Sequence, residues 1–467
     1  MRNTMTAIKV VSAYDRSPIK TIDRINESAA FEILQKCHSL HRDRSRWLPA
    51  HERIAILERA AAIMESRSGD LARQAAMEGG KPLVDSIVEI NRAIEGVKVA
   101  VKEIWKLGGH EIPMGVTSAS VNRTANTYRD PRGVVFAISA FNHPFNLIIH
   151  QVVTAVAAGC PVMVKPASTT PMSCQSVVDI LHEAGLPPEW CSMMLCENRV
   201  AEKIVSDPRI SFLTFIGSGK VGWHLRSRLA PGASCSLEHG GVAPVIVEQT
   251  ADIDDAIPLL VKGGFYHAGQ VCVSVQRIFV DESIADEFNA KFVEQAGKLK
   301  VGDPLDESTE VGPLIVPQEV DRVHEWVEEA VARGGKLLCG GKKISQTCYE
   351  PTVVLDPPDD VRLSREEVFG PVVAIYRYSD RDDAIRRAND PDVFFQASIF
   401  TRDLEFALDA SRRLDGMTVM VNDHTAFRVD WMPFGGHRQS GLGLGGIGHS
   451  MRDMTLERMV VFRSPVL

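Results

Sequence analysis

The chain has 467 residues, of which 45% are hydrophobic and 24% are charged, and its formal net charge is -8. This length predicts two or three domains, and the acidic balance argues against nucleic acid or a membrane surface as the main partner. No apolar run reaches the roughly 20 residues that span a bilayer, and the first residues show no secretory signal, so we expect a cytoplasmic protein.

Residues 25–108 are predicted to be helical, because apolar residues recur at three- and four-residue spacing. Residues 116–130 are half polar and strand-like, which predicts an arm that pairs elsewhere. From residue 133 onward strands and helices alternate, and this order predicts an α/β fold with doubly wound parallel sheets. The predicted strands are 134–138, 161–164, 211–216 and 244–247; the predicted helices follow Pro144, cover 170–184 and follow residue 217, and a second alternating stretch runs from 244 past 420.

Two segments match the glycine pattern of a phosphate-binding loop. Gly217, Ser218 and Gly222 belong to the first, which follows a predicted strand and precedes a predicted helix, where backbone N–H groups attract anions. The second runs from Gly443 to Gly448, near the end of the chain and after no predicted strand. We interpret the second as a flexible turn.

The nine cysteines are an odd number, scattered through a long chain, which predicts reduced thiols and no disulfide framework. No pair has the spacing of a zinc motif, so we expect no metal site. Cys272 is the candidate nucleophile, because it lies on a short segment beside Gly269, and a thiol that is mostly protonated at neutral pH needs a base. The cysteines are Cys37, Cys160, Cys174, Cys191, Cys196, Cys235, Cys272, Cys339 and Cys348.

Glu238 is the candidate base, and the residues alone leave its role open. It lies 21 residues after Gly217, the spacing of an acid that holds a cofactor ribose, although it precedes two glycines and ends no predicted strand. Glu248, after the predicted strand 244–247, is a weaker ribose candidate. The alternative for the pair is an inert buried cysteine and a surface carboxylate.

Seven segments in a fixed order identify a family. The chain resembles an aldehyde dehydrogenase along essentially its whole length, with two departures: Phe141 replaces the usual tryptophan, and His239 replaces a common leucine. The segments are Phe141–Asn146, Val164–Ser168, Phe215–Ser218, Leu237–Gly241, Gly269–Cys272, Glu366–Pro371, and Asn422 with Pro433–Gly436 and Ser440–Gly441.

The resemblance implies a mechanism that assigns each of these residues a role. Cys272 attacks the aldehyde, while the Asn142 side-chain amide and the Cys272 backbone N–H bind the oxyanion. After hydride transfer to NAD or NADP, Glu238 activates the water that hydrolyses the thioester, and this assigns Glu238 as the base. Lys165 is expected near the adenosine ribose, and Gly217, Ser218 and Gly222 near the pyrophosphate. Glu367 and Phe369 are expected at the nicotinamide ribose and ring; their alternatives are a solvated acidic turn and plain core packing.

Ser168 bears on the choice between the two dinucleotides. Many NAD-using relatives have a glutamate at this position, where it would repel a 2′-phosphate, whereas a serine leaves room for the phosphate and Lys165 supplies charge. We therefore expect NADP to be accepted. The alternative is that Ser168 only caps the helix that follows.

The substrate side resembles a bacterial branch related to succinate-semialdehyde, lactaldehyde and phosphonoacetaldehyde dehydrogenases. His143 and His150 follow the oxyanion asparagine along a helix, and His150 is expected to face the substrate tunnel. Phe427 and Arg428 are expected in the loop that closes it. An arginine there favours a small polar or anionic aldehyde, and the alternative is a structural ion pair with Asp423 or Asp430.

The family further implies two Rossmann-like domains and a small β oligomerisation element. We predict a dinucleotide-binding domain from 1–113 and 132–240, a catalytic domain from 241–438, and an arm from 114–131 and 455–467. A homodimer or homotetramer is expected. A CoA-acylating dehydrogenase, which typically lacks the glutamate base, and a non-catalytic protein on the same fold are the alternative functions.

Overall fold

The structure is a computed structural model that describes residues 7–467, so residues 1–6 of the predicted first domain lie outside it. The helices are α1 Glu27–Arg42, α2 Ala50–Ser66, α3 Ser68–Gly79, α4 Leu83–Ile104, α5 Asn146–Ile148, α6 Thr154–Ala158, α7 Pro171–Glu183, α8 Asn198–Val205, α9 Gly219–Ser227, α10 Ile253–Phe265, α11 Ala285–Ala296, α12 Pro317–Ala332, α13 Arg362–Arg365, α14 Arg381–Asn389, α15 Leu404–Arg413 and α16 Ile447–Asp453. The strands are β1 Ala7–Val11, β2 Pro18–Asp23, β3 Glu111–Ile112, β4 Arg123–Pro131, β5 Val134–Ile138, β6 Val162–Lys165, β7 Cys191–Met193, β8 Ile210–Ile216, β9 Ser234–Glu238, β10 Pro244–Val247, β11 Arg277–Asp281, β12 Lys336–Cys339, β13 Thr352–Leu355, β14 Val372–Tyr378, β15 Val393–Phe394, β16 Gln396–Phe400, β17 Thr418–Val421, β18 His437–Arg438, β19 Gly441–Leu442 and β20 Thr455–Arg463.

A six-stranded sheet organises the first half of the chain, in the order β19-β9-β8-β5-β6-β7. Its five strands from β5 to β9 run parallel, and β19 pairs antiparallel with β9. Every residue of β5 is buried, as expected of a strand with helices on both faces. The parallel strands point their carboxyl ends at one edge, which is where ligands bind in such sheets.

A seven-stranded sheet organises the second half, in the order β12-β13-β14-β11-β10-β16-β17, and only β12 runs antiparallel. Each large sheet has its own hydrophobic core. The predicted α/β class with two doubly wound sheets is therefore confirmed. Among residues 7–467, no helix combines the length and the apolarity needed to cross a membrane.

A third, antiparallel sheet joins the predicted arm to the end of the chain. Strand β4 lies between β3 and β20, and it pairs with β20 over nine positions, from Arg123↔Arg463 to Pro131↔Thr455. The predicted strand character of 116–130 is confirmed from Arg123 onward, while Ser118–Ser120 form a 3-10 turn. Two small sheets, β1-β2 and β15-β18, complete the architecture of the described residues.

Two local predictions are wrong. Glu238 is the last residue of β9, although the sequence indicated no strand there, because the glycines after it obscure a short strand of mixed polarity. The second glycine motif does follow a strand: β19 ends at Leu442 and pairs with Glu238 and Leu237. The motif from Gly443 to Gly448 is therefore packed against the first sheet rather than being a free turn.

Candidate active site

One cavity of about 540 Å³ lies at the carboxyl ends of the first sheet and against the second half of the chain. This volume is in the range of pockets that bind small molecules and cofactors. The predicted site residues that line it are Asn142, His143, Gly217, Ser218, Glu238, Cys272, Glu367, Phe369 and Arg428. Residues that are far apart in the chain thus meet around one space.

The nucleophile segment has an unusual backbone. His267, Ala268 and Gly269 have φ values of 52°, 53° and 68°, a left-handed conformation that costs free energy in the two non-glycine residues. A Cβ on Gly269 would lie 2.1 Å from the carbonyl oxygen of Gly370, so only glycine permits this close approach. The approach brings the segment that carries Cys272 against the segment that carries Glu367.

Cys272 is half-buried and packs with an apolar cluster that includes Val271 and Val273. Desolvation, reinforced by the Glu367 carboxyl group, raises the pKa of its thiol to about 12, and the positive charge of Arg428 acts in the opposite direction. The resting thiol is therefore protonated at neutral pH. A base must remove its proton before attack, because the thiolate is the nucleophile.

Asn142 is held beside the nucleophile by the segment that precedes it. The residue is buried just beyond β5, and its Nδ2 donates to the carbonyl oxygen of Gln270 at 2.9 Å. Gln270 is itself fixed, since its Nε2 donates to Pro313 O and its Oε1 accepts from Ile315 N. The amide is thus preorganised for an oxyanion that forms near Cys272.

Glu238 reaches the cavity from the end of β9, and its carboxylate lies against Gly445 of the second glycine motif. A Cβ on Gly445 would lie 2.3 Å from Glu238 Oε1, so the glycine makes room for the base. Desolvation raises the pKa of Glu238, while Arg428 acts to lower it. A half-buried carboxyl group with a raised pKa is suited to accept a proton near neutral pH.

The pyrophosphate side of the cavity is formed by the first glycine motif. Helix α9 begins after Gly217 and Ser218, and the Ser218 side chain makes no capping bond to it. A Cβ on Gly222 would lie 1.9 Å from His239 Cε1, so this close packing requires glycine. His239 also holds the loop in place, through a 2.8 Å bond between its Nδ1 and the carbonyl oxygen of Gly217.

Lys165 and Ser168 lie outside the cavity lining, although Ala167 between them belongs to it. Lys165 is buried, and desolvation lowers its pKa; Ser168 is exposed. Helix α7 begins at Pro171, and its N–H groups at 172 and 173 donate to the Glu78 carboxylate at 2.9 and 2.7 Å. The alternative that Ser168 caps this helix is therefore wrong.

Glu367 and Phe369 face the cavity. Desolvation raises the pKa of Glu367 to about 8, its Oε1 has no hydrogen-bond partner among residues 7–467, and its carboxyl group touches Gly240. Phe369 meets Phe141 edge to face, with ring centroids 5.8 Å apart. The alternatives of a solvated turn and of core packing do not fit these positions. An unpartnered carboxyl oxygen, a helix N-terminus and a glycine cradle together fit a dinucleotide.

The cavity lining contains three arginines, Arg92, Arg322 and Arg428. Arg92 forms two hydrogen bonds with Asp430, and Arg322 pairs with Glu319 at 2.7 Å. Arg428 forms no ion pair within the described chain; its guanidinium carbon lies 3.5 Å from the Phe434 ring centroid, and its Nε has no partner. The alternative ion pair of Arg428 with Asp423 or Asp430 is therefore wrong.

Three further residues that the sequence singled out, His150, Phe427 and Glu248, lie outside the cavity lining. His150 does not line the cavity, because a π-helical turn at Ile149–Val153 directs its Nε2 to Asp430 Oδ1 at 2.7 Å. Phe427 is 43% exposed and also lies outside the lining. Glu248 is buried among Thr250, Thr401 and Arg381, which excludes it as a ribose ligand.

His143, in contrast, lines the cavity, with its Nε2 3.3 Å from the Tyr266 hydroxyl. Desolvation holds the pKa of His143 well below its usual range, so the ring is neutral. Sequence reasoning missed Arg92 and its pairing with Asp430, which is 338 residues away, because no local pattern connects the two residues. It named Gly445 within the second glycine motif but missed its contact with Glu238.

The chain is similar to known proteins over nearly its whole length. The family model described as "Aldehyde dehydrogenase family" matches residues 1–460. The 3-sulfolactaldehyde dehydrogenase of Priestia aryabhattai is 37% identical over 466 residues, which cover 98% of this chain and 95% of that protein.

Two solved structures are similar over the same length. Aldehyde dehydrogenase 21 from Physcomitrella patens, in complex with the reaction product succinate, has a TM-score of 0.95 at 34% identity and covers 99% of this chain and 96% of its own. Glyceraldehyde-3-phosphate dehydrogenase GapN from Methanocaldococcus jannaschii, complexed with NADP, has a TM-score of 0.93 at 34% identity, with 99% and 100% covered.

Proposed function

The chain belongs to the aldehyde dehydrogenase family, and we propose that it oxidises a small anionic aldehyde through a Cys272 thioester that Glu238 hydrolyses. It is an NAD(P)-dependent aldehyde dehydrogenase that converts an aldehyde to the carboxylic acid. The observation that supports an anionic substrate is Arg428, which lines the same cavity as the nucleophile and forms no ion pair among residues 7–467.

In the first half-reaction Glu238 takes the Cys272 proton and Sγ forms a bond to the aldehyde carbon. The carbonyl oxygen becomes an alkoxide that accepts hydrogen bonds from Asn142 Nδ2 and the Cys272 backbone N–H. Preorganised donors of this kind contribute about 3 to 4 kcal/mol to stabilising the transition state. NAD or NADP, when bound, supplies the acceptor for the hydride that leaves the thiohemiacetal carbon. The product on Cys272 is a thioester.

Glu238 then releases the Cys272 proton to solvent, and in the second half-reaction the regenerated carboxylate removes a proton from water, whose oxygen attacks the thioester carbon. The C–S bond then breaks, the carboxylic acid leaves, and the sulfur recovers as thiolate or thiol. The close packing of Gly445 against Glu238 supports this role, because it allows the carboxylate to occupy the cavity wall without a competing side chain.

The dinucleotide would be held by the residues that the motif assigns to it. The N-terminus of α9 with Gly217, Ser218 and Gly222 suits the pyrophosphate. Glu367 Oε1, which has no partner in the described chain, suits a ribose hydroxyl, and Phe369 suits the nicotinamide ring. The buried Lys165 ends β6, and the exposed Ser168 follows three residues later; a lysine and a serine at this end of the strand favour a 2′-phosphate.

Replacing Ser168 with glutamate is expected to raise the NAD-to-NADP ratio of kcat/KM by about tenfold or more, because a carboxylate repels the 2′-phosphate. Initial rates with both cofactors measure the ratio. Ser168→Ala is the matched control: it removes the hydroxyl without adding charge and should change the ratio by only about threefold. An unchanged ratio in Ser168→Glu would mean that this position does not contact the 2′-phosphate.

The charges of the arginines that line the cavity support an anionic substrate. Arg92 and Arg322 are matched by carboxylates, so Arg428 is the cation left in the cavity for a ligand, within the residues described. An arginine recognises a planar carboxylate or a sulfonate through paired hydrogen bonds. The names of the similar proteins, which include 3-sulfolactaldehyde and succinate, support a small acid-bearing aldehyde.

Replacing Arg428 with leucine is expected to lower kcat/KM for 4-oxobutanoate by about 10²-fold, mainly through KM, because the bound carboxylate loses its counter-charge. The kcat/KM for propanal should change by no more than about threefold. Phe427→Leu is the control, since Phe427 is the exposed neighbour outside the cavity lining. Equal losses for the two aldehydes in Arg428→Leu would rule out charge recognition.

The CoA-acylating alternative is disfavoured by Glu238, since such enzymes typically lack this glutamate, and product analysis with and without CoA decides between them. The non-catalytic alternative predicts no release of reduced cofactor on addition of aldehyde.

We also propose the predicted domain division, with a homodimer or homotetramer formed through the three-stranded sheet. Met459, Val461 and Phe462 of β20 are 55%, 44% and 59% exposed, which is an unusual row of apolar residues for a free surface.

A further inference from the structure

Asp430 is the centre of a buried polar network behind the substrate wall. Its side chain is 3% exposed, and its carboxylate bonds three residues from helical segments. Oδ1 accepts from Arg92 Nη2 at 2.8 Å, from Asn146 Nδ2 at 3.1 Å and from His150 Nε2 at 2.7 Å. Among residues 7–467, Oδ2 accepts only from Arg92 Nε, at 3.1 Å.

This carboxylate is negatively charged. Burial alone would raise the pKa of Asp430, but the hydrogen bond from His150, together with the charge and the hydrogen bonds of Arg92, holds it far below its usual range. Desolvation lowers the pKa of His150, so the imidazole donates from Nε2 as a neutral ring. The one full positive charge that Asp430 contacts is therefore that of Arg92.

The network determines how many unpaired positive charges the cavity presents to the substrate. Arg92 and Arg428 line the same cavity, and Asp430 lies two residues after Arg428. Glu238 and Glu367 also line the cavity, but among residues 7–467 neither forms an ion pair with Arg92 or Arg428, in contrast to Asp430, which pairs with Arg92 at 2.8 Å. With Arg92 matched by Asp430, one positive charge remains for the distal group of the substrate.

We propose that Asp430 is a specificity-determining residue that neutralises Arg92, so that the cavity selects aldehydes with a monoanionic distal group over those with a dianionic group. Carboxylates and sulfonates belong to the first class; phosphonates and phosphates above their second ionisation belong to the second. The inference rests on the proposed function, since it requires that Arg428 binds an anion. A dianion on Arg428 alone leaves one negative charge unmatched in a cavity of low polarity, which is costly.

The atom-level geometry provides a conservative test. In Asp430→Asn, the amide oxygen can take the place of Oδ1 and keep the bonds from Asn146, His150 and Arg92 Nη2. The amide nitrogen replaces Oδ2, which contacts only Arg92 Nε, so the variant removes the charge and that single bond. Arg92 then becomes a second unmatched cation.

The experiment compares kcat/KM for propanal, 4-oxobutanoate and phosphonoacetaldehyde at pH 8.5, where these are neutral, monoanionic and dianionic. Asp430→Asn is expected to raise kcat/KM for the dianionic aldehyde, relative to kcat/KM for the monoanionic aldehyde, by about tenfold. Arg92→Met leaves Asp430 without its counter-charge. This variant is expected to lower kcat/KM for both anionic aldehydes, relative to kcat/KM for propanal, by about tenfold. The double variant should return the monoanion-to-propanal ratio to within about twofold of the wild type.

Each of these measurements tests the proposed role of Asp430. Equal losses for all three aldehydes in Asp430→Asn, with an unchanged ratio, would show a purely structural role and overturn the inference. If that variant does not fold, as judged by thermal melting, Arg92→Met decides alone, and an unchanged preference for anions over propanal overturns the inference. Failure of the proposed function is distinguishable, because then wild-type enzyme shows no preference for anions and Arg428→Leu has no anion-specific effect.

Discussion

Replacing Cys272 with alanine is expected to lower kcat/KM for every aldehyde by about 10⁴- to 10⁶-fold, the loss typical of a missing covalent nucleophile. The physical reason is that no thiohemiacetal can form, so no hydride donor carbon is produced. Cofactor binding should persist, because Gly217, Ser218 and Glu367 are untouched. Initial rates and a fluorescence titration with NADPH measure the two properties.

Cys235→Ala is the matched control, since Cys235 is also a half-buried free thiol and lies on β9, outside the cavity lining. Its activity should stay within about twofold of the wild type. Activity of Cys272→Ala above one hundredth of the wild type would show that another group forms the covalent bond or that none is formed.

Replacing Glu238 with glutamine is expected to separate the two half-reactions. Hydrolysis should slow by about 10²- to 10⁴-fold, because the amide cannot accept a proton from water. At pH 9 hydroxide deprotonates Cys272 in place of Glu238, so one equivalent of reduced cofactor should appear in a burst before the slow steady state. Stopped-flow absorbance at pH 9 measures the burst amplitude.

The pH dependence follows from the same residue. The carboxylate of Glu238 must be ionised to act as a base, and desolvation raises its pKa, so wild-type kcat should fall as the pH falls through this raised value. The glutamine variant should lose that acidic limb. Glu366→Gln is the control, because Glu366 is exposed and lies outside the cavity lining. A variant at 238 with normal steady-state turnover would refute the assignment of the base.

Much of the fold and of the chemical centre could be predicted from sequence, because the relevant signals are local. The apolar runs at 134–138 and 244–247 form buried strands, as predicted. Asn142 and Ser218 follow parallel strands, and strands of one parallel sheet bring their carboxyl ends to one edge. The motif around Cys272 needs glycine at 269 for a contact with Gly370, so its pattern carries a backbone constraint.

The substrate wall could not be predicted in the same way. A regular helix spacing was assumed for His150, and the π-helical turn at Ile149–Val153 changes the direction of that side chain toward Asp430. The direction of Phe427 depends on loop conformation, which no periodicity determines. Arg92 has a polar partner 338 residues away, and one sequence contains no signal for such a pairing.

The role of Glu238 could be predicted from the sequence only in part. Its spacing from Gly217 suited a ribose ligand and its chemistry suited a base, and the sequence alone left both open. The structure places its carboxylate against Gly445 and in one cavity with Cys272. That placement supports Glu238 as the base. The Oε1 of Glu367, which has no partner among residues 7–467, supports Glu367 rather than Glu238 as the ribose ligand.

The central claim is that the aldehyde becomes a thioester on Cys272 that only Glu238 hydrolyses efficiently. Intact-mass spectrometry of Glu238→Gln, quenched in acid after mixing with NADP and 4-oxobutanoate, tests it most directly. The account predicts one adduct per chain with the mass of the aldehyde less two hydrogens, located on the peptide that contains Cys272 and absent from the Cys272→Ala, Glu238→Gln double variant. A full burst of reduced cofactor without that adduct, or an adduct on another cysteine, would contradict it.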